Sequence, residues 1–184
     1  VSSLGLEDNT GLGLSVVDKG ETIEVQQLRK TEGPNVTILV PKGVTVSYTH
    51  TSPYGDQIEI RNFEGTVDVS TVHNGVVLTN VSGPVKVKTV HGDIDASLSA
   101  APTEAVMLES VHGHVDLALP VTAKANLSMR TQWGEVLVDP KFKIELNRTG
   151  EMVKYSGEVS GKLNGGGVDI SLRTQHNNVY LRTK

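Results

Sequence analysis

Histidine, aspartate and tryptophan recur at fixed intervals in the middle of this chain, and chemistry would fall to them. A phrase of hydroxyl, spacer, ring and Gly or Asn appears as Thr71-Val72-His73-Asn74, Thr89-Val90-His91-Gly92, Ser110-Val111-His112-Gly113 and Thr131-Gln132-Trp133-Gly134. It returns as Thr174-Gln175-His176-Asn177, so the spacings are 18, 21, 21 and 43 residues. A turn phrase repeating at that interval marks a chain whose passes stack on one another. Stacking puts His73, His91, His112 and Trp133 in one column. Two residues on, Gly75, Asp93, His114 and Glu135 form a second column, and Val77, Asp95, Asp116 and Leu137 form a third. Neighbouring passes lie about 4.8 Å apart. The candidate binding set is therefore His73, His91, Asp93, Asp95, His112, His114, Asp116 and Trp133, gathered at one corner.

Imidazole suits zinc and similar ions, and carboxylates suit calcium or magnesium. Residues of one column, however, point in parallel instead of converging, and a repeated backbone geometry stacks like residues with no site at all. The reading therefore assigns no metal and no cofactor. It leaves the corner as either a binding surface or a turn ladder. Stacked imidazoles resist charging together, so their pKa values are expected below the ordinary value of about 6.5. Stability should then fall as pH drops through that value, unless Asp93 and Asp116 compensate.

Asp95 and Asp116 could approach the lower end of the roughly 5–9.5 Å separation that glycoside hydrolysis requires. A polysaccharide-active enzyme, lyase or hydrolase, is thus the alternative from another class. Against it stand a single Trp and the near isolation of Lys86 and Lys88 as counter-charges for an acidic sugar. Nucleotide motifs fail on context. Gly11-Leu12-Gly13 lacks the third Gly and a strand–helix setting, and a strand follows Gly165-Gly166-Gly167. No Ser/His/Asp set has the order or spacing of a triad.

The elements that must position these residues are short strands. The chain is valine-rich and has 19 Gly. β-branched residues fit pleated, half-buried surfaces, and frequent Gly fits frequent turns. From Asn62 onward a turn and a short alternating strand repeat about every nine residues. Val67, Val69, Val76, Leu78, Val85, Val87 and Ile94 then face one way, and Asp68, Val77, Lys86 and Asp95 the other. This predicts a single all-β domain over residues 1–184, a single-stranded parallel β-helix or β-solenoid, right-handed by the crossover rule. Residues 1–34 are expected to be an irregular cap with a strand near Thr22–Val25. Regular coils fill 35–140, beginning with strands at Asn35–Val40 and Val44–Tyr48. A wider coil or hairpin takes 141–167, with a turn at Asn147–Gly150 and a strand at Met152–Tyr155. A last coil takes 168–184, where Tyr180–Lys184 would be an exposed edge blunted by charge.

The phrase Gly-x-Val-x-Val-x-Thr-x-His-Gly-Asp-Ile at 83–94, echoed at 65–76 and preceded by Val40-Pro41-Lys42-Gly43, resembles the bacterial putative-adhesin family of β-helical domains. The likeness spans roughly 35–182. The family often has Asn where His73, His91 and His112 stand here. It implies a secreted, periplasmic or surface-anchored β-helix with no catalytic residues to carry over.

The non-catalytic, extracytoplasmic role is what the resemblance implies, and composition adds exclusions. The net charge of −4 comes without a basic stripe, so nucleic acid is not expected as a partner. No apolar run is long enough to span a membrane. There is no cysteine, so no disulfide or thiolate metal site. The start at Val1 reads as internal or processed, and an upstream signal is assumed removed. The expected partner is an unknown protein or glycan. The expected state is a monomer or a weak end-to-end dimer.

Overall fold

The computed structural model describes residues 6–29, 34–146 and 157–184. They fall into two compact units, Val1–Leu39 with Ser52–Gly55, and Val40–Thr51 with Asp56–Lys184. In the first unit, β1 (Leu14–Asp18) and β2 (Ile23–Gln27) form an antiparallel hairpin. Its turn is closed by Lys19 N–H donating to Thr22 O at 2.8 Å. Before it, the Asp8 carboxylate accepts the backbone N–H groups of Thr10, Gly11 and Gly13. These bonds, that of Gly13 foremost, hold its pKa below the ordinary value.

The second unit contains β3 (Thr45–His50), β4 (Ile58–Glu64), β5 (Thr66–Thr71), β6 (Val76–Ser82), β7 (Val85–Thr89), β8 (Ile94–Ser97) and β9 (Val106–Ser110). It continues with β10 (Val115–Leu119), β11 (Ala125–Arg130), β12 (Val136–Val138), β13 (Ile144–Leu146), β14 (Glu158–Leu163), β15 (Val168–Arg173) and β16 (Val179–Thr183). Two sheets result. A six-stranded parallel sheet runs β12-β16-β10-β8-β6-β4, and an eight-stranded mixed sheet runs β13-β14-β11-β15-β9-β7-β5-β3. From β3 to β12 the chain visits the two sheets alternately.

Alternation along each strand decides which side is core. In β7 the pattern is buried–exposed throughout, with Val85, Val87 and Thr89 inside and Lys86 and Lys88 outside. Parallel pairing then aligns like with like: Val67 on Val85, Val85 on Val106, and Val106 on Ile170. The inward rows of both sheets belong to one apolar cluster that includes Leu78, Leu108, Leu117, Met129, Leu172 and Leu181. Each large apolar side chain fully buried there contributes roughly 1.5–3 kcal/mol. At one corner Gly83 has φ +114°, and a Cβ there would overlap the carbonyl oxygen of Gly65. Only glycine lets the two layers approach so closely.

The fold is all-β, but the single-stranded right-handed β-helix expected from the repeat does not form. Among the described residues there are three sheets, of two, eight and six strands, and their order is not the order of the chain. The physical reason lies in the last two strands. β15 inserts between β9 and β11, and β16 inserts between β10 and β12, each pairing in parallel on both sides. Residues Tyr180–Thr183 are therefore interior to a sheet and not an exposed edge. The eight-stranded sheet is also mixed, because β14 runs antiparallel to both β11 and β13.

The strand expected at Asn35–Val40 has no ladder pairing, and Val36, Ile38, Leu39 and Val40 are exposed. Pro34 and Pro41 bracket it, and proline cannot donate to a ladder. β-branched composition supplies propensity, whereas a strand needs a partner. The expected turn at Asn147–Gly150 and strand at Met152–Tyr155 lie outside the described residues.

Because β15 and β16 fill the middle of their sheets, a chain ended after Gly167 should lose cooperative thermal unfolding, followed by circular dichroism. A sequentially stacked chain would lose only its outermost layer and keep a clear transition.

Candidate functional site

The repeated phrase forms one corner of the second unit, and its first residue explains why it repeats. Thr71, Thr89, Ser110, Thr131 and Thr174 are all buried. The Ser110 hydroxyl donates to Gly92 O at 3.0 Å, in the layer before, and accepts Gly113 N–H at 2.9 Å within its own turn. Thr131 repeats this, donating to Asn177 O at 2.7 Å and accepting Gly134 N–H at 3.1 Å. Thr174 donates to Gly113 O at 2.8 Å, and Thr89 accepts Gly92 N–H at 3.0 Å. A buried hydroxyl that binds its own turn and the adjacent one satisfies two backbone groups that otherwise have no partner. The fourth position is glycine where layers press closest. A Cβ on Gly113 would overlap Gly92 O.

The third position carries rings. His73 and His91 stack with centroids 5.3 Å apart, His91 and His112 at 4.7 Å, and His112 and His176 at 4.6 Å. The layer order places His176, not Trp133, against His112. Trp133 comes one layer later, where its backbone N–H donates to Gln175 O at 2.8 Å, and it is 70% exposed. His176 was within reach of the sequence. Its ring type matches His73, His91 and His112, while Trp133 breaks the series. The 43-residue spacing alone had placed it at the end.

The second column is also corrected by one inserted layer. Asp93 Oδ1 accepts the backbone N–H of His114 at 2.7 Å, and Asn178 Oδ1 accepts that of Glu135 at 2.9 Å. His114 turns away from the other imidazoles. Its Nδ1 lies 3.1 Å from Asp93 Oδ1, and its Nε2 lies 2.9 Å from Asp95 Oδ1. In the third column Asp116 neighbours both Asp95 and Tyr180. Asp116 accepts from Arg182 Nε at 2.8 Å, and the Arg182 guanidinium covers the Tyr180 ring at 4.8 Å. Asn178, Tyr180 and Arg182 were missed because they belong to the inserted layer.

The corner thus separates into two groups. One is an exposed stack of parallel imidazoles. The other is a set of carboxylates already paired with His114 and Arg182. Among the described residues, no three His, Asp or Glu side chains are arranged to hold a metal ion. Burial is the main cause of a raised Asp116 pKa, which Arg182 opposes and Asp95 reinforces. The His112 pKa is lowered, first because its neighbours displace water and then by repulsion from His176 and His91.

No family model matches the chain, and no curated protein matches it in sequence. In fold it is similar to the crystal structure of a putative cell adhesion protein from Clostridium sporogenes. The TM-score is 0.51 over 93% of this chain and 76% of that one, at 12% identity. A likeness at that identity concerns the fold. No helix among the described residues is long and apolar enough to cross a membrane.

The Ser110 hydroxyl serves two layers. Ser110→Ala should therefore cost about 1–3 kcal/mol, the range for stranding buried polar groups, while Ser110→Thr should stay near wild type. Urea denaturation measures both. The His112 shift sets a pH effect. A base with a lowered folded pKa binds fewer protons when folded, so its contribution is intact above the unfolded value of about 6.5 and is lost as pH falls below it. Calorimetric melts should show a lower midpoint at pH 5 than at pH 8, and His112→Asn should flatten that dependence.

Proposed function

We propose that this chain is a non-catalytic, adhesin-like binding domain that works outside the cytoplasm and presents rigid rows of side chains to a protein or glycan. One observation carries the reading. Parallel, in-register pairing turns single sequence positions into straight exposed rows, of which His73, His91, His112 and His176, followed by Trp133, is the longest at the corner. The rows stand on a tightly packed core, so binding them costs little ordering entropy. Their flatness suits an extended partner surface.

The pairing of the acidic residues also supports a binding role. Asp95 and Asp116 are engaged by His114 and Arg182, so neither stands ready as a nucleophile or base. The fold similarity to a putative cell adhesion protein adds a fold-level analogy. Placement in the periplasm, on the outer membrane or at the cell surface is part of the proposal. So is an isolated or weakly self-associating state.

The test is a combined glycan array and bacterial and host surface-protein panel, probed with purified protein at pH 7.5. Saturable binding to at least one ligand is expected, reduced severalfold in a folded Trp133→Ala, His91→Asn, His112→Asn variant. Absence of binding in both panels, or turnover of a polysaccharide ligand, would overturn the reading.

A further inference from the structure

The outer face of the eight-stranded sheet carries a polar trough away from the histidine stack. In β15, β11 and β14, Ser171, Ser128 and Ser160 lie side by side in register. The row is small. A cavity of about 440 Å³ opens over it, with Asn126, Lys162 and Asp169 on one flank. Leu127 and Ile170 contribute only backbone, since their side chains are buried in the core. The outward lining is therefore hydroxyl, amide and charge, without an apolar anchor.

Two residues further along the same strands, Arg130 and Arg173 stand directly beside each other. Beyond them a smaller depression of about 130 Å³ is lined by Glu109, Gln132, Gln175 and the arginines, with Ser110 and Thr174. The arginines thus divide the two hollows. Two lysines elsewhere on this face are matched: Lys86 meets Asp68 at 3.7 Å, and Lys88 meets Glu109 at 3.4 Å. Glu109 and Glu158 flank the arginines in register. Even so, neither Arg130 nor Arg173 makes an ion pair among the described residues. Like charges on adjacent strands cost stability, and a guanidinium fork fits a carboxylate or sulfate in bidentate fashion.

We propose that this trough binds an acidic oligosaccharide, with one anionic group seated between Arg130 and Arg173. Neighbouring sugar hydroxyls meet Ser128, Ser160, Ser171 and Lys162. A glycan fits better than an acidic peptide, because the lining offers hydrogen-bonding groups to every sugar and no pocket for an apolar side chain. The inference rests on the binding reading above and adds to it a location and a ligand class.

The probes are an oligogalacturonate and a sulfated, heparin-derived oligosaccharide, with neutral maltohexaose and poly-glutamate as comparisons, in titration calorimetry at low salt. Wild type should bind at least one acidic oligosaccharide, and added salt should weaken that binding. It should not bind maltohexaose comparably. Arg130→Gln/Arg173→Gln should lower affinity about tenfold or more, as loss of charge-assisted hydrogen bonds does. Ser128→Tyr, which fills the trough with both arginines present, should lower it too. Each variant's melting midpoint confirms folding. Equal affinity in both folded variants would overturn the site. Failure of both acidic sugars to bind would overturn the ligand class, and poly-glutamate binding as tightly as they do would reassign it to acidic peptides. Any of these leaves the broader binding reading standing if the arrays show another ligand. Silence in the arrays as well removes both.

Discussion

The buried hydroxyls of Ser110, Thr131 and Thr174 tie one layer of chain to the next, and the strand register depends on them. Ser110 holds Gly92 O and Gly113 N–H together, and Thr131 does the same for Asn177 O and Gly134 N–H. A slip of one residue would leave these backbone groups buried without partners. It would also turn the Val and Leu rows outward, because side chains alternate with period two. One small polar side chain per turn therefore fixes the alignment that the apolar core rewards. The same alignment explains the glycine three residues later at 92, 113 and 134, where a Cβ would overlap the adjacent layer's backbone.

Strict register has a consequence for the surface. A position becomes a row, and its character depends on whether successive residues match or differ. Where they differ, the groups engage one another, as Asp93 and Asp95 do with His114, and Asp116 with Arg182. Where they match, the row keeps its capacity outward. The imidazole stack is one such row, and the Arg130–Arg173 step is another. The first tolerates repetition because flat rings pack face to face. The second sets two guanidinium groups side by side, with Glu158 and Glu109 in register beyond them but, among the described residues, in no ion pair with either.

Much of this was legible in the sequence, and the limit has a physical form. Alternation identified the inward residues, since Val67, Val85 and Ile94 sit at period-two positions. The phrase spacing correctly aligned Thr71 with Thr89 and Thr89 with Ser110. A repeat, however, records that a segment fits a neighbour of its own kind, not which neighbour. Residues 174–177 fit against 110–113 as well as against 131–134, and the structure uses both. His176 consequently entered the ring stack that had been given to Trp133. Asn35–Val40 shows the other limit, since a run with strong strand propensity finds no ladder partner between its prolines.

The insertion of β15 and β16 bears on time as well as topology. β9 and β15 pair across about sixty residues of intervening chain. The loop-closure entropy of that pairing falls due before its contacts can repay it. Until it forms, β9 and β10 present open edges, with rows of unpaired N–H and C=O groups facing solvent. The topology thus makes the arrival of β15 and β16 the step that closes those edges, and it ties that step to the most distant pairing in the sheet.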